Sequence, residues 1–328
     1  MSTAALKKEH QMPSKQRRER TANILCLILL IVLGLIVLFP IYWIFRSSLM
    51  SNGELYTYPP AFLPPAWRFS NYPETLKSFE YLQFMGNTMT ILIPAVLGAV
   101  VTATMGGYAF ARLRFRGKKF LFTLCVGSML LPSMVTLIPL FMAWSKLGLV
   151  NTYWPLILPH FCGGGAFNIF LIRQFVKTVP RELDEAATID GCGFFRILIF
   201  IIVPAIKSAM IVVGLLKFIE LWNDLLQQVT YITRRDRYTL ALGLNIFRGS
   251  FNDDWSSIMC ATCLSFIPGY LFYFYFYFYF LVFLLLHLFY LHLLPLFLLL
   301  HFALLQLAFL FVFFLLFLLL HIILYNLA

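Results

Sequence analysis

Long apolar runs alternate with shorter polar connections along this chain. A helix of about 20 apolar residues crosses the hydrocarbon of a bilayer, because each residue adds about 1.5 Å. Runs of that kind fall at 24–45, 88–111, 120–141 and 154–175, and another begins near Ser257. Between the last two, hydropathy alone would start a span at Ile197. Pro204 and Lys207 instead favour a separate short helix over 194–203, followed by a span over 208–226. The pattern therefore predicts an all-α, polytopic membrane bundle of six spans.

Details of the runs support that reading. The first ends in Pro40, Tyr42 and Trp43, the aromatic belt expected at a membrane face. Gly98, Gly106 and Gly107 in the second allow another helix to come close. The connections are polar: 46–84 carries Pro59, Pro60, Pro64 and Pro65, 112–119 is strongly basic, and 227–254 is a long polar loop.

Composition adds weight to the membrane assignment. Of the 328 residues, 61% are hydrophobic and 12% charged, against roughly 45–50% and about 25% in soluble domains. The net charge of +11 would suggest nucleic acid in a soluble chain, but its distribution argues against that partner. Lys7, Lys8, Lys15, Arg17, Arg18 and Arg20 precede the first run, and Arg112, Arg114, Arg116, Lys118 and Lys119 crowd one connection. Such clusters mark the cytoplasmic side, so the amino terminus is expected on the cytoplasmic face of the membrane. Four arginines in the 227–254 loop run against that bias. The six cysteines have no spacing that completes a metal site, and neither metal nor disulfide is expected.

The expected organisation is a basic cytoplasmic segment at 1–23, a membrane domain at 24–269 with a polar loop at 176–204, and an apolar tail at 270–328. The tail has no Asp, Glu, Lys or Arg and opens with Tyr-Phe alternation. It is open to three readings: extra spans broken near Pro295, a degenerate end, or an out-of-frame end.

The loop is the most informative segment. Pro180 fits a first helical turn, and Glu182, Asp184 and Glu185 suit the positive end of a helix dipole. Gly191 is placed to end that helix in the left-handed conformation. Leu183, Ala186, Ala187 and Asp190 share one helical face. That face is either a docking knob for a basic groove or a solvated amphipathic surface.

In sequence, Glu185-Ala186-Ala187, three residues, Gly191, nine residues, Ile201, one residue and Val203-Pro204 resemble the EAA signature of binding-protein-dependent ABC importer permeases. Val203 stands where that family usually has Leu. Pro180-Arg181-Glu182-Leu183, Trp222-Asn223-Asp224, Tyr238-Thr239-Leu240 and Trp255 resemble its carbohydrate branch. The likeness covers 24–269. It implies a permease subunit that pairs with a second homologous permease, two cytoplasmic ATPase subunits and an extracytoplasmic solute-binding protein, and that carries a sugar across the lipid bilayer. It further implies that Glu185, Ala186, Ala187, Asp190, Gly191 and Pro204 belong to the ATPase-coupling element. ATP and Mg would sit in the partner ATPase, with no cofactor and no enzymatic site in this chain. Consistently, Gly163-Gly164-Gly165 has no following lysine to make a phosphate loop.

A second constellation lies in the fifth span. Lys217, Glu220 and Asp224 fall at i, i+3 and i+7, with Trp222 and Asn223 beside them. Ionisable groups at membrane depth usually face a bundle interior or a cavity, so Lys217, Glu220, Asn223 and Asp224 are pore or gate candidates. The alternative is an internal Lys217–Glu220 pair that only fixes packing. Charged residues in a span also mark ion-coupled secondary transporters, the rival function class. That rival has no account of the loop.

Overall fold

The computed structural model describes residues 14–250 and 254–269, and the readings for the first residues and for the tail lie outside them. The architecture is all-α, with no strand among the described residues. By length and composition three helical segments suit a membrane crossing: Ile24–Ser48, Tyr81–Arg112 and Trp154–Thr178. Two bent pairs, Lys118–Leu130 with Ser133–Lys146 and Phe194–Ala205 with Lys207–Trp222, raise the number to five. The helix Trp255–Gly269 is apolar but shorter.

Two predicted continuous spans are interrupted. The run at 120–141 bends by 102° at Leu131-Pro132. Proline disfavours the helical conformation of the residue before it, and Leu131 is extended, with ψ 117°. The run at 154–175 is broken at Gly163, Gly164 and Gly165, all three at positive φ. Only a residue without a side chain fits at Gly164, where a Cβ would lie 2.4 Å from that of Ala99. Proline alone does not decide the outcome, since Pro94 sits inside the unbroken Tyr81–Arg112 helix. The fifth run follows the two-helix reading, with a bend of 79° after Ala205. A π-helical stretch, Leu198–Ile202, precedes it, as expected where Pro204 supplies no N–H to the preceding turn.

The described residues divide into two compact units, one with those up to Arg68 and Phe266–Gly269, the other with Phe69–Ser265. In the first unit, the Tyr42 hydroxyl donates to Phe62 O and the Arg46 guanidinium to Ala61 O, fastening the Pro-rich segment to the first helix. Arg46 also lies over the Trp43 ring, 4.5 Å from its centre.

The second unit is built on Tyr81–Arg112, which packs along Ala166–Thr178. Lipid is as apolar as leucine, so close fit rather than escape from water holds such helices together. Gly107 permits that fit: a Cβ there would lie 2.5 Å from Ile172 Cγ2. At one end of the unit, Ala103, Tyr108 and Ala111 form a core with Ile172, Val176, Val179, Ala187, Ile197, Ile202 and Val213. At the other end, Asn87 Nδ2 donates to Tyr238 O at 2.9 Å and Leu240 N–H donates to Thr88 Oγ1 at 2.9 Å.

Candidate functional site

The loop helix runs Arg181–Ile189. Pro180 precedes it as the N-cap, with ψ 139°, and so lies just outside the first turn predicted for it. Its end follows the sequence closely. Asp190 is the C-cap and Gly191 adopts φ +79°. Gly191 N–H donates to Thr188 O at 3.0 Å and Cys192 N–H to Ala187 O at 2.9 Å. This pair of bonds is a Schellman motif, which satisfies the last carbonyls and fixes the chain's exit angle.

The helix presents two faces. Ala187 is buried in the core with Tyr108, Ala111 and Val179, and Asp184 is half-buried beside it. Leu183, Ala186 and Asp190 are exposed, as are Glu182 and Glu185. Ile189 is 87% exposed, the most open large apolar side chain on the helix. Of the four residues assigned to one face, three therefore point outward and Ala187 points in. Ile189 escaped the sequence reading because it follows Thr188 outside the 183–186–187–190 spacing. Pro204 lies apart, beside the bend that leads into Lys207–Trp222.

Arg112, read from sequence as a cytoplasmic cation, and Asp184, read as a carboxylate at the helix start, prove to tie the loop down. Arg112, the last residue of Tyr81–Arg112, donates from Nη2 to Val179 O. Its Nε lies 2.9 Å from Asp184 Oδ2, with side-chain exposures of 7% and 17%. Burial raises the Asp184 carboxyl above the ordinary aspartate value, against the pull of Arg112. The contact is an ion pair without hydrogen-bond alignment, and Asp184 Oδ1 has no hydrogen-bond partner among the described residues.

The pore candidates are brought together only in part. Lys207–Trp222 ends with Asn223 as its cap, so Asp224 lies beyond the helix rather than on a continued face. Lys217 is buried, with 4% of its side chain exposed, and its Nζ lies 2.6 Å from Glu220 Oε2, whose side chain is 61% exposed. Asp224 Oδ1 accepts from Gln227 N–H at 3.1 Å at the start of the next short helix. Asn223 Oδ1 is buried without a hydrogen-bond partner among the described residues. The arrangement thus holds one paired buried cation and one unsatisfied amide oxygen. No group of three or more metal-ligating residues occurs among the described residues.

Comparison with known proteins places this geometry in context. The profile of the binding-protein-dependent transport system inner membrane component family matches residues 95–297, reaching further than the sequence likeness, which ends at 269. The chain is 28% identical over 247 residues to the Diacetylchitobiose uptake system permease protein NgcG of Streptomyces coelicolor, covering 75% of this chain and 82% of the relative. It is 29% identical over 245 residues to the Galactooligosaccharides transport system permease protein GanQ of Bacillus subtilis, covering 74% and 86%. In fold it is similar to a chain of a bacterial ABC transporter involved in the import of the acidic polysaccharide alginate. The TM-score is 0.69 at 24% identity, covering 80% of this chain and 97% of that one. A chain of the alginate transporter in complex with an alginate pentasaccharide-bound periplasmic protein gives a TM-score of 0.58 at 12% identity, covering 79% and 93%.

Proposed function

Since the chain belongs to the family of binding-protein-dependent transport system inner membrane components, we propose that it is the permease subunit of an ATP-driven importer for a sugar or oligosaccharide. The carbohydrate reading is supported by the relatives named for diacetylchitobiose and galactooligosaccharides. In this reading the chain forms half of a translocation pore with a homologous permease. A solute-binding protein delivers the sugar from outside, and two ATPase subunits work from the cytoplasm, the side of the amino terminus.

One observation carries the coupling role: an outward face of Leu183, Ala186 and Ile189, flanked by Glu182, Glu185 and Asp190, on a helix whose inner face and end are fixed. A small apolar patch ringed by carboxylates fits a shallow groove with an apolar floor and basic rim. Docked there, the ATPase pair would move the helix as it closes, biasing the pore between inward-open and outward-open states. Lys217, Glu220, Asn223 and Asp224 remain pore or gate candidates. Asn223 is the one with an unanswered acceptor.

Reconstitution of the permease pair with its ATPase and binding protein tests the function. ATP-dependent, binding-protein-dependent sugar uptake is expected. Uptake driven by an ion gradient without ATP would overturn the proposal in favour of a secondary transporter.

A further inference from the structure

We propose that Arg112 is a positioning residue that transmits movement of the loop helix into the Tyr81–Arg112 helix through its paired contacts with Asp184 and Val179. The inference rests on the coupling reading above.

Three observations carry it. First, Arg112 reaches the loop at two points on either side of its start. Nη2 bonds Val179 O before the helix, and Nε faces Asp184 Oδ2 at 2.9 Å within it. A guanidinium is a rigid planar fork, so two contacts fix direction as well as distance. Second, Arg112 terminates a helix of 32 residues, about 48 Å long at the usual rise. Near its other end, Asn87 and Thr88 are bonded to the segment at Tyr238 and Leu240. A displacement at Arg112 is therefore delivered along a single helix to the far side of the unit.

Third, the pair is largely shielded from solvent but incompletely bonded. Asp184 Oδ1 lacks a hydrogen-bond partner among the described residues, and the Nε–H is not aligned with the carboxylate. Desolvated charges with unfinished bonds are a poor way to stabilise a fold, and an apolar pair of similar volume would do as well. They are a good way to link two elements whose separation changes, since a shift of the loop helix can complete or break the bonds. The same Asp184 faces inward while Leu183 and Ile189 face out, so docking leaves the pair free to respond.

The test uses the full complex in proteoliposomes, with Asp184→Asn, Arg112→Gln and the charge-reversed double variant Arg112→Glu/Asp184→Arg. Three quantities are read: co-purification of the ATPase, ATP hydrolysis, and sugar transported per ATP. Each single variant is expected to retain the ATPase while transport per ATP falls about tenfold, within the usual range of coupling free energies. The double variant restores the ion pair but not the donor to Val179 O, so it is expected to recover part of the loss. Arg112→Lys keeps the charge but not the fork and should give an intermediate ratio, which also guards against poor insertion of the glutamine variant. Normal transport per ATP in both single variants would overturn the inference. So would loss of the ATPase from them, since the pair would then build the docking surface rather than transmit from it. No recovery in the double variant would overturn the pairing. If wild-type permease itself fails to retain the ATPase, the coupling reading falls first.

Discussion

The loop at 178–204 and the charged end of the fifth span differ in what holds their functional groups in place. In the loop, local chemistry decides. Carboxylates at the first turn, Gly191 at the end and the bonds from Gly191 and Cys192 back to Thr188 and Ala187 set where the helix starts and stops, while Ala187 and Arg112 fasten it to the rest of the unit. At Lys217–Asp224 tertiary context decides, because the local cap at Asn223 only ends the helix, whereas burial determines what each charged group costs. An element fixed by its own sequence is suited to act as a rigid handle. A cluster fixed by its surroundings responds when those surroundings move.

The largest expected effect comes from Gly191→Pro. Proline requires φ near −65° where the backbone is at +79°, and it removes the N–H that bonds Thr188 O. Strain of about 3 kcal/mol corresponds to roughly a 100-fold loss of the docked geometry. Uptake in proteoliposomes should fall by that order while membrane insertion, measured by yield, is kept. Glu185→Lys comes next: reversing an exposed charge at the proposed docking rim should reduce uptake by about tenfold, through like-charge contact with the basic groove proposed for the ATPase. Normal uptake in both variants would remove the distinction between the two regions.

Smaller effects probe the fifth span through stability rather than transport. Glu220→Gln leaves the Lys217 ammonium buried without its anion, a cost of about 1–3 kcal/mol, toward the lower end because Glu220 is largely exposed. Lys217→Met removes the buried charge and leaves Glu220 in contact with solvent or headgroups, so its effect should stay within about 1 kcal/mol. Thermal unfolding in detergent should therefore rank Glu220→Gln below Lys217→Met. The reverse order would mean that Lys217 is not effectively buried.

The same contrast explains how much of the molecule is legible in its sequence. The all-α class, the separate helix before Pro204 and the loop helix with its glycine stop follow from hydropathy, proline and capping chemistry. The bend at Leu131-Pro132 is foreseeable in principle from the proline, yet Pro94 and Pro139 lie inside helices. Leu131, Pro132 and Pro139 are all exposed, so neither hydropathy nor packing within the chain separates these cases. The break at Gly163–Gly165 is not legible either, since the tight approach to Ala99 is a long-range fact. At the loop, Asp184 reads as one more carboxylate at a helix start and Arg112 as one more cytoplasmic cation. Their pairing across 72 positions of sequence is visible only in the fold.

If the outward face of the loop helix receives the ATPase, as proposed, the double variant Leu183→Asp/Ile189→Asp, which alters only exposed side chains, should abolish the docking. We predict that the ATPase no longer co-purifies with this permease while the yield and unfolding temperature of the permease stay at wild-type values. Retention of the ATPase at wild-type stoichiometry would show that this face does not receive it.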